Sequence, residues 1–265
     1  MIYKSSLRPI NAGNEPGRKK LTDKELTGKI PPDRIRSIYL PELPDGVVEG
    51  FRELGEITTA ISDALDELGI KGALGSSHLR CNIENGCMVG RALTVRHVPL
   101  RESPADAARR GINRMAEIEA HNLAEPGDVI VVQGVAGHSN LGGVGVQIGH
   151  RQGEVGAVVD GGVRDVADSR GIGYPIWATE FTPVTGKWRI ETVEINGPVN
   201  ICGVPVEAGD LVVGDSSGLC FVPRQHAERV LEFARKKVAS EQASLARMQE
   251  GLPVPVLAGR KPAST

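Results

Sequence analysis

In GEITTAISDALDELGIKGAL, residues 55–74, the apolar positions Ile57, Ala60, Ile61, Leu65 and Leu68 recur at helical spacing, and Gly69 follows as a C-terminal stop. GCMVGRALTVRHV, residues 86–98, instead carries the Val, Leu and Thr content of a strand entered from a turn. Residues Ala105–Leu123, rich in Ala, Glu and Arg, predict a second helix. From there the texture alternates. DVIVVQG (128–134) reads as strand, GVGVQIGHRQG (143–153) as helix despite its glycines, GAVVDGG (156–162) as strand, Asp165–Arg170 as a short helix and YPIWA (174–178) as strand. Apolar strands separated by helical segments predict a largely parallel sheet buried on both faces.

After Pro183 the pattern changes. VNICGVPVEAGDLVVGDSSGLCFVP (199–223) has the short apolar runs and tight turns of an antiparallel meander. A last helix is predicted over His226–Gln249, with Val230, Ala234, Val238, Leu245 and Met248 on one stripe and Gly251, Pro253 and Pro255 ending it. The expected organisation is an N-terminal arm over residues 1–40 with a short helix near Leu21–Leu26, an α/β domain over 41–251, and a mobile tail over 252–265.

A chain of 265 residues suits one large domain. Charge refines the picture of the arm, which holds nine of the 31 Lys and Arg but only four of the 33 Asp and Glu, so the rest of the chain is acidic on balance. The arm is expected to be solvated and to pack on a neighbouring subunit. Only nine aromatic residues occur, too few for the basic, aromatic-interleaved face that nucleic-acid binding needs. Cys81, Cys87, Cys202 and Cys220 form no CxxC pair or zinc spacing and are read as reduced structural thiols. With no apolar leader in MIYKSSLRPI and no run of membrane-spanning length, the expectation is a soluble cytoplasmic protein without a membrane partner.

The candidate chemistry lies in GGVRD, residues 161–165, delivered by an apolar strand to the sheet edge where open α/β folds bind ligands. Gly161 and Gly162 permit a sharp turn, Arg164 offers a planar fork for a carboxylate or phosphate, and Asp165 offers a hard oxygen at the start of a helix. That combination suits a metal-chelated anion. The same residues also read as a helix cap at Asp165, a turn residue at Asp160 and a surface ion pair at Arg164. Twelve of the 33 glycines fall between Gly134 and Gly173, as expected of loops that hold anions on backbone N–H groups, but no GxGxxG or Walker A pattern is present. His138, among these glycines, is the histidine best placed to face a ligand. GDSSG (214–218) matches a nucleophile elbow formally, yet LVV before it and LCFVP after it predict a hairpin turn. Glu117 and His121 lack a second such pair, which argues against a metal site on their helix.

ISDAL, GRALTVR, PGDVIVV, GAVVDGGVRD, GYPIWA and VEAGDLVVGDSSGLCFVP occur in an order that resembles the RraA-like family, the regulators of ribonuclease activity A and the class II 4-hydroxy-4-methyl-2-oxoglutarate aldolases. The resemblance covers about residues 45–250. It implies a swivelling β/β/α fold with a C-terminal helix, a homotrimer or homohexamer, and sites at subunit interfaces. It further implies Mg²⁺ or Mn²⁺ held through Asp165, an oxo-acid substrate gripped by Arg164 and by backbone N–H groups at Val144 and Gly145 after the Gly142–Gly143 step, and Glu241 supplied from an adjacent subunit. Where the aldolases resemble GE or GD, this chain has Gly143, and it has Glu180 where the family usually shows glycine. Glu180 or His138 is therefore expected to replace the missing acid.

The expected function is a divalent-metal-dependent carbon–carbon lyase, aldolase or decarboxylase, that releases pyruvate from a 4-hydroxy-2-oxo dicarboxylic acid or similar substrate. Competing readings are a non-catalytic regulatory binding protein and a lyase or hydratase acting on another metal-chelating acid.

Overall fold

The structure, a computed structural model, describes residues 24–258. In chain order its elements are α1 (Val47–Leu54), α2 (Thr58–Glu67), β1 (Ala73–Gly75), β2 (Arg80–Cys81), β3 (Met88–Pro99), α3 (Pro104–Arg109), α4 (Glu117–Leu123), β4 (Asp128–Gln133), β5 (Ser139–Leu141) and α5 (Gly143–Gln152). They continue with β6 (Gly156–Val163), α6 (Val166–Gly171), β7 (Ile176–Phe181), β8 (Ile190–Ile195), β9 (Val199–Ile201), β10 (Val204–Val206), β11 (Leu211–Asp215), β12 (Gly218–Val222), α7 (Ala227–Gln249) and α8 (Val254–Leu257).

The main sheet runs β1-β12-β11-β3-β4-β6-β7-β2, with β5 beside β6 and β8 beside β3. Its centre, β3-β4-β6-β7, is parallel, as the alternating apolar runs predict. In β4 the side chains of Ile130 and Val132 enter the core beneath α4 and α5, while Val129 and Val131 enter the core covered by the β9–β10 hairpin. Strands buried on both faces need continuous apolar runs, which is why β4 and β6 carry them. A third core lies between α1, α2, α7 and the β11–β12 hairpin. GDSSG forms the turn of that hairpin, with Asp215 paired to Gly218 across it.

The helix expected over Ala105–Leu123 is two helices. Ser103 caps α3 by accepting from Asp106 N, and Gly111, at φ 63°, ends it with Ile112 N donating to Ala107 O at 2.8 Å and Gly111 N to Ala108 O at 3.1 Å. That reciprocal pair is the glycine-terminated helix stop, and a residue with a Cβ adopts its left-handed conformation at a cost. Gly69 ends α2 in the same way at φ 67°, with Ile70 N donating to Leu65 O.

Residues 24–40 lie on their own chain: Ile30 is in the core, Lys24 Nζ donates to Leu123 O at 2.8 Å, and Arg34 pairs with Glu191. Lys24–Leu26 are not helical, and the remainder of the helix expected near Leu21–Leu26 falls outside the described residues. Residues 254–257 of the expected tail form α8. No helix among the described residues is long and apolar enough to cross a membrane.

The loop between β4 and β5 is fixed by one buried side chain. Asn140 Nδ2 donates to Val135 O and His138 O, its Oδ1 accepts from Val135 N at 2.8 Å, and His97 Nδ1 lies 3.2 Å from the same oxygen. A Cβ on Gly161 would stand 2.4 Å from Asn140 Nδ2, so the glycine at that strand position makes room for the clamp. Burial lowers His97 to about 4, and its neutral ring donates from Nδ1.

Because the folded value lies below the ordinary 6.5, the unfolded chain takes up the proton first as pH falls. The stability that neutral His97 contributes is complete above pH 6.5 and is lost on descending toward pH 4. Between pH 7.5 and 5 the loss from this group is about 2 kcal/mol. Urea unfolding at the two pH values should show His97→Gln losing less stability than the parent chain by about that amount. An equal loss in both would contradict the assignment.

Candidate functional site

Strand β6 carries its chain to the sheet edge and turns at Arg164 and Asp165 directly against the first turn of α5. Arg164 N donates to Leu141 O at 3.1 Å, and Gly143 N donates to Asp165 Oδ2 at 3.0 Å. Asp165 occupies the cap position of α6 in the left-handed conformation, φ 56°, but its carboxylate bonds the start of α5 rather than its own helix. Asp tolerates this backbone better than most residues, yet it still costs free energy, and such outliers gather at functional sites. Arg164 Nε lies 3.3 Å from Asp165 Oδ2, with both side chains half-exposed.

Two glycines make the approach possible. A Cβ on Gly142 would stand 3.0 Å from Arg164 Nε and 3.2 Å from Asp165 Oδ2. At Gly143 it would stand 2.6 Å from Asp168 Oδ2 and 3.2 Å from Asp165 Cβ. Asp168, on α6, is therefore the residue whose carboxylate occupies the space beside position 143. Its side chain has no hydrogen-bond or ion-pair partner among the described residues. The sequence held only a weak signal for it: Asp165 and Asp168 are spaced i, i+3, and nothing linear connects either with Gly143.

The first N–H groups of α5 have no intrahelical acceptor, and the helix dipole makes that end partly positive. Gly143 N donates to Asp165 Oδ2, the N–H groups of Val144 and Gly145 precede the first intrahelical acceptor, and the Val144 side chain is exposed. These donors, the Arg164 fork and the Asp165 and Asp168 carboxylates form one cluster at the mouth of α5.

Beneath the mouth lies a buried polar network. His121 Nδ1 and Glu154 Oε1 are 2.8 Å apart, and Tyr174 OH donates to Glu154 Oε2 at 2.7 Å. Burial alone would lower the imidazole, but the Glu154 carboxylate, with Glu117 in support, holds His121 above its ordinary value. Burial pushes the Tyr174 hydroxyl well above its usual range. Cβ atoms on Gly145 and Gly149 would stand 3.1 Å from His121 Nε2 and 2.2 Å from Glu154 Oε2. The glycines of α5 are thus the groove that seats this network, which is how a glycine-rich segment forms a helix here. Glu117, at the start of α4, has its carboxyl raised by burial, opposed by the charges of His121 and Arg164. Its helical spacing from His121 was legible in the sequence, and its nearness to Arg164 was not.

His138 and Glu180 meet on the β4–β5 loop. Glu180 Oε1 accepts from Gly137 N, and His138 Nδ1 donates to Ala136 O at 2.9 Å. Both side chains bond within that loop, and the space beside Gly143 is filled by Asp168 instead. Asp160 is no turn residue but the acceptor for Cys202 N at 2.8 Å, which anchors the β9–β10 hairpin. Glu241 is exposed on α7, whose buried residues pack with α1 and α2 over the β11–β12 hairpin, three strands from β6 in the sheet order. Among the described residues no three His, Cys, Asp or Glu side chains converge as a preformed metal cage.

Comparison with known proteins places this geometry in a family. The family model described as RraA-like, Aldolase/RraA, matches residues 58–221. A protein of Halalkalibacterium halodurans, provisionally named 4-hydroxy-4-methyl-2-oxoglutarate aldolase, is 34% identical over 197 residues, covering 70% of this chain and 81% of the relative. Among solved structures, RraAS2 of Streptomyces coelicolor, described as an unusual member of the RNase ES inhibitor RraA protein family, is 31% identical with a TM-score of 0.65, covering 77% of this chain and 98% of that one. An uncharacterized protein of Pseudomonas syringae gives a TM-score of 0.69 at 25% identity, with coverages of 83% and 96%. The β6–α6 turn seated on α5 is therefore a feature of a chain that belongs to the RraA-like family.

Proposed function

We propose that the protein is a divalent-metal-dependent carbon–carbon lyase that cleaves a 4-hydroxy-2-oxo dicarboxylic acid, or a similar acid, to pyruvate. The observation that carries this reading is the seating of Arg164 and Asp165 on the N-terminus of α5, which sets a guanidinium fork, a carboxylate and open N–H donors around one point. The relative provisionally named an aldolase supports the same chemistry.

The residues fit Mg²⁺ or Mn²⁺. Mg²⁺ keeps most of its waters and is held by one or two carboxylates together with substrate oxygens, so the pair Asp165 and Asp168 suits it better than a closed protein cage would. When bound, such a cation supplies Lewis-acid polarisation of a 2-oxo group and offsets the negative charge that develops as the carbon–carbon bond breaks. Arg164 presents its fork to the keto and carboxylate oxygens of the substrate. The N–H groups of Val144 and Gly145 receive a substrate carboxylate at the positive end of α5. His138 and Glu180, bonded within the β4–β5 loop, border the site at the same sheet edge. In this reading Glu241 supplies a carboxylate to the site from an adjacent subunit of a homotrimer or homohexamer, and the proton of the substrate 4-hydroxyl passes to a base through a water.

A second reading, a non-catalytic regulatory protein, is favoured by one observation, the description of the Streptomyces relative as belonging to a ribonuclease-inhibitor family.

Pyruvate release should appear over a panel of 4-hydroxy-2-oxo acids and oxaloacetate with Mg²⁺ or Mn²⁺ and disappear with chelator. Asp165→Asn, which keeps the side-chain size and tolerates the left-handed backbone, should abolish turnover while leaving the chain folded. Arg164→Lys keeps the charge but loses the fork, and should lower kcat/KM by roughly ten- to a hundredfold, or about 1.5–3 kcal/mol. A folded parent protein silent across the panel contradicts the lyase reading and supports the regulatory one.

Subunit sharing has its own test. Oligomers reassembled from inactive Asp165→Asn and inactive Glu241→Ala chains should regain part of the activity, because some interfaces then carry neither change. Full activity of Glu241→Ala alone, or mixed oligomers as inactive as their parents, contradicts the trans assignment.

A further inference from the structure

We infer that the buried pair His121 and Glu154 extends the dipole of α5, lying along that helix with its positive end beneath the first turn, and so sets how tightly the mouth holds the carboxylate of an oxo acid. This rests on the reading of the mouth as an oxo-acid site and adds to it positioning residues that touch no ligand themselves.

Geometry comes first. Gly145 stands in the first turn of α5, and a Cβ there would lie 3.1 Å from His121 Nε2. Gly149 stands one turn further on, where a Cβ would lie 2.9 Å from His121 Nδ1 and would collide with the Glu154 carboxylate. The imidazole therefore runs along the helix, with Nε2 toward the mouth and Nδ1 away from it. Glu154 Oε1 closes the far end, 2.8 Å from Nδ1, and Tyr174 OH donates to the other carboxylate oxygen at 2.7 Å. The His121 and Glu154 side chains are wholly buried, yet Nε2 has no hydrogen-bond partner among the described residues. Glycines in a helix and an unpaired buried nitrogen are each unfavourable. Together they bring a polar ring as close to the first turn as the backbone allows.

Charge gives the pair its direction. The groups facing the ring are Glu154, braced by Tyr174, and Glu117 on its own helix, on which the charge of Arg164 acts in turn. Burial opposes the charged ring, but the Glu154 carboxylate, through its charge and its hydrogen bond, and Glu117 outweigh it and hold His121 above its ordinary 6.5. Burial pushes the Tyr174 hydroxyl well above its usual range, so it stays neutral as a donor to Glu154. The ring is thus an imidazolium with its Nε2 proton beneath the first turn and the balancing negative charge a turn behind. The backbone dipole of α5 has the same sense, so the two add at the mouth and favour an anion there.

The test separates charge from scaffolding. Oxalate, a compact dianion shaped like the keto-carboxylate end of an oxo acid, is titrated calorimetrically into the full-length protein with Mg²⁺ present. Folding is followed by circular dichroism and the ring by ¹⁵N-histidine spectra. At pH 6.5 most of the His121 signal should come from the doubly protonated ring. His121→Gln keeps a polar side chain without the charge and should weaken oxalate binding by roughly three- to thirtyfold. Glu154→Gln, which removes the charge that holds the imidazolium, should weaken it to a similar extent. Tyr174→Phe removes a hydrogen bond from the network but neither charge, and should bind oxalate as the parent does. As pH rises above 6.5 the parent should lose oxalate affinity while His121 gives up its proton, and His121→Gln should lack that fall. Should His121→Gln not fold, the ring spectrum and Glu154→Gln decide. Folded His121→Gln or Glu154→Gln binding oxalate like the parent, or a neutral His121 ring at pH 6.5, overturns the inference and leaves the oxo-acid site standing. Equal losses in all three folded variants mark a scaffold and overturn it too. A parent chain that does not bind oxalate overturns the oxo-acid reading itself.

Discussion

The close contact between the β6–α6 turn and the first turn of α5 is the constraint on which the site depends. The hydrogen bond from Gly143 N to Asp165 Oδ2 closes it, and a Cβ at either Gly142 or Gly143 would force it open. The parallel order of β4 and β6 brings the two segments to one edge. Everything at the mouth of α5 follows from that meeting: the left-handed Asp165, the Arg164 fork alongside it, and Asp168 reaching in from the next turn.

Below the mouth, the same helix trades side-chain volume for polar contact. Gly145 and Gly149 leave room for His121 and Glu154, and Tyr174 completes the network from the segment entering β7. Burying these groups costs desolvation energy, which their mutual bonds offset only while each partner is present. Removing one would strand a buried charge, so the network fixes the position of α5 relative to α4. On the other side of the site, Asn140 fixes the β4–β5 loop with three backbone contacts. The donors of α5 are therefore held between two buried polar clamps, the kind of preorganised support an anion site needs.

How much of this was legible depended on whether the signal was local. The parallel strands, the hairpin at GDSSG and the helical character of GVGVQIGHRQG follow from apolar runs, period and turn residues, all short-range. The break between α3 and α4 was marked by Gly111 and missed because the composition on both sides favours helix. Arg164 and Asp165 were identifiable from their place after an apolar strand. Asp168 was not, because its role exists only against Gly143, in another helix and 25 residues away. His121 and Glu154 were unreadable for the same reason, since their partnership spans 33 residues and is visible only as glycines at matching positions of α5.

The central claim is that the Arg164–Asp165 turn on α5 is where a divalent cation and an oxo acid meet. Anomalous diffraction from crystals grown with Mn²⁺ tests it most directly, because it locates the cation without reference to turnover. The account predicts the strongest anomalous peak beside the Asp165 carboxylate at the mouth of α5. A strongest peak elsewhere on the chain, or none beside Asp165 at saturating Mn²⁺, would contradict it.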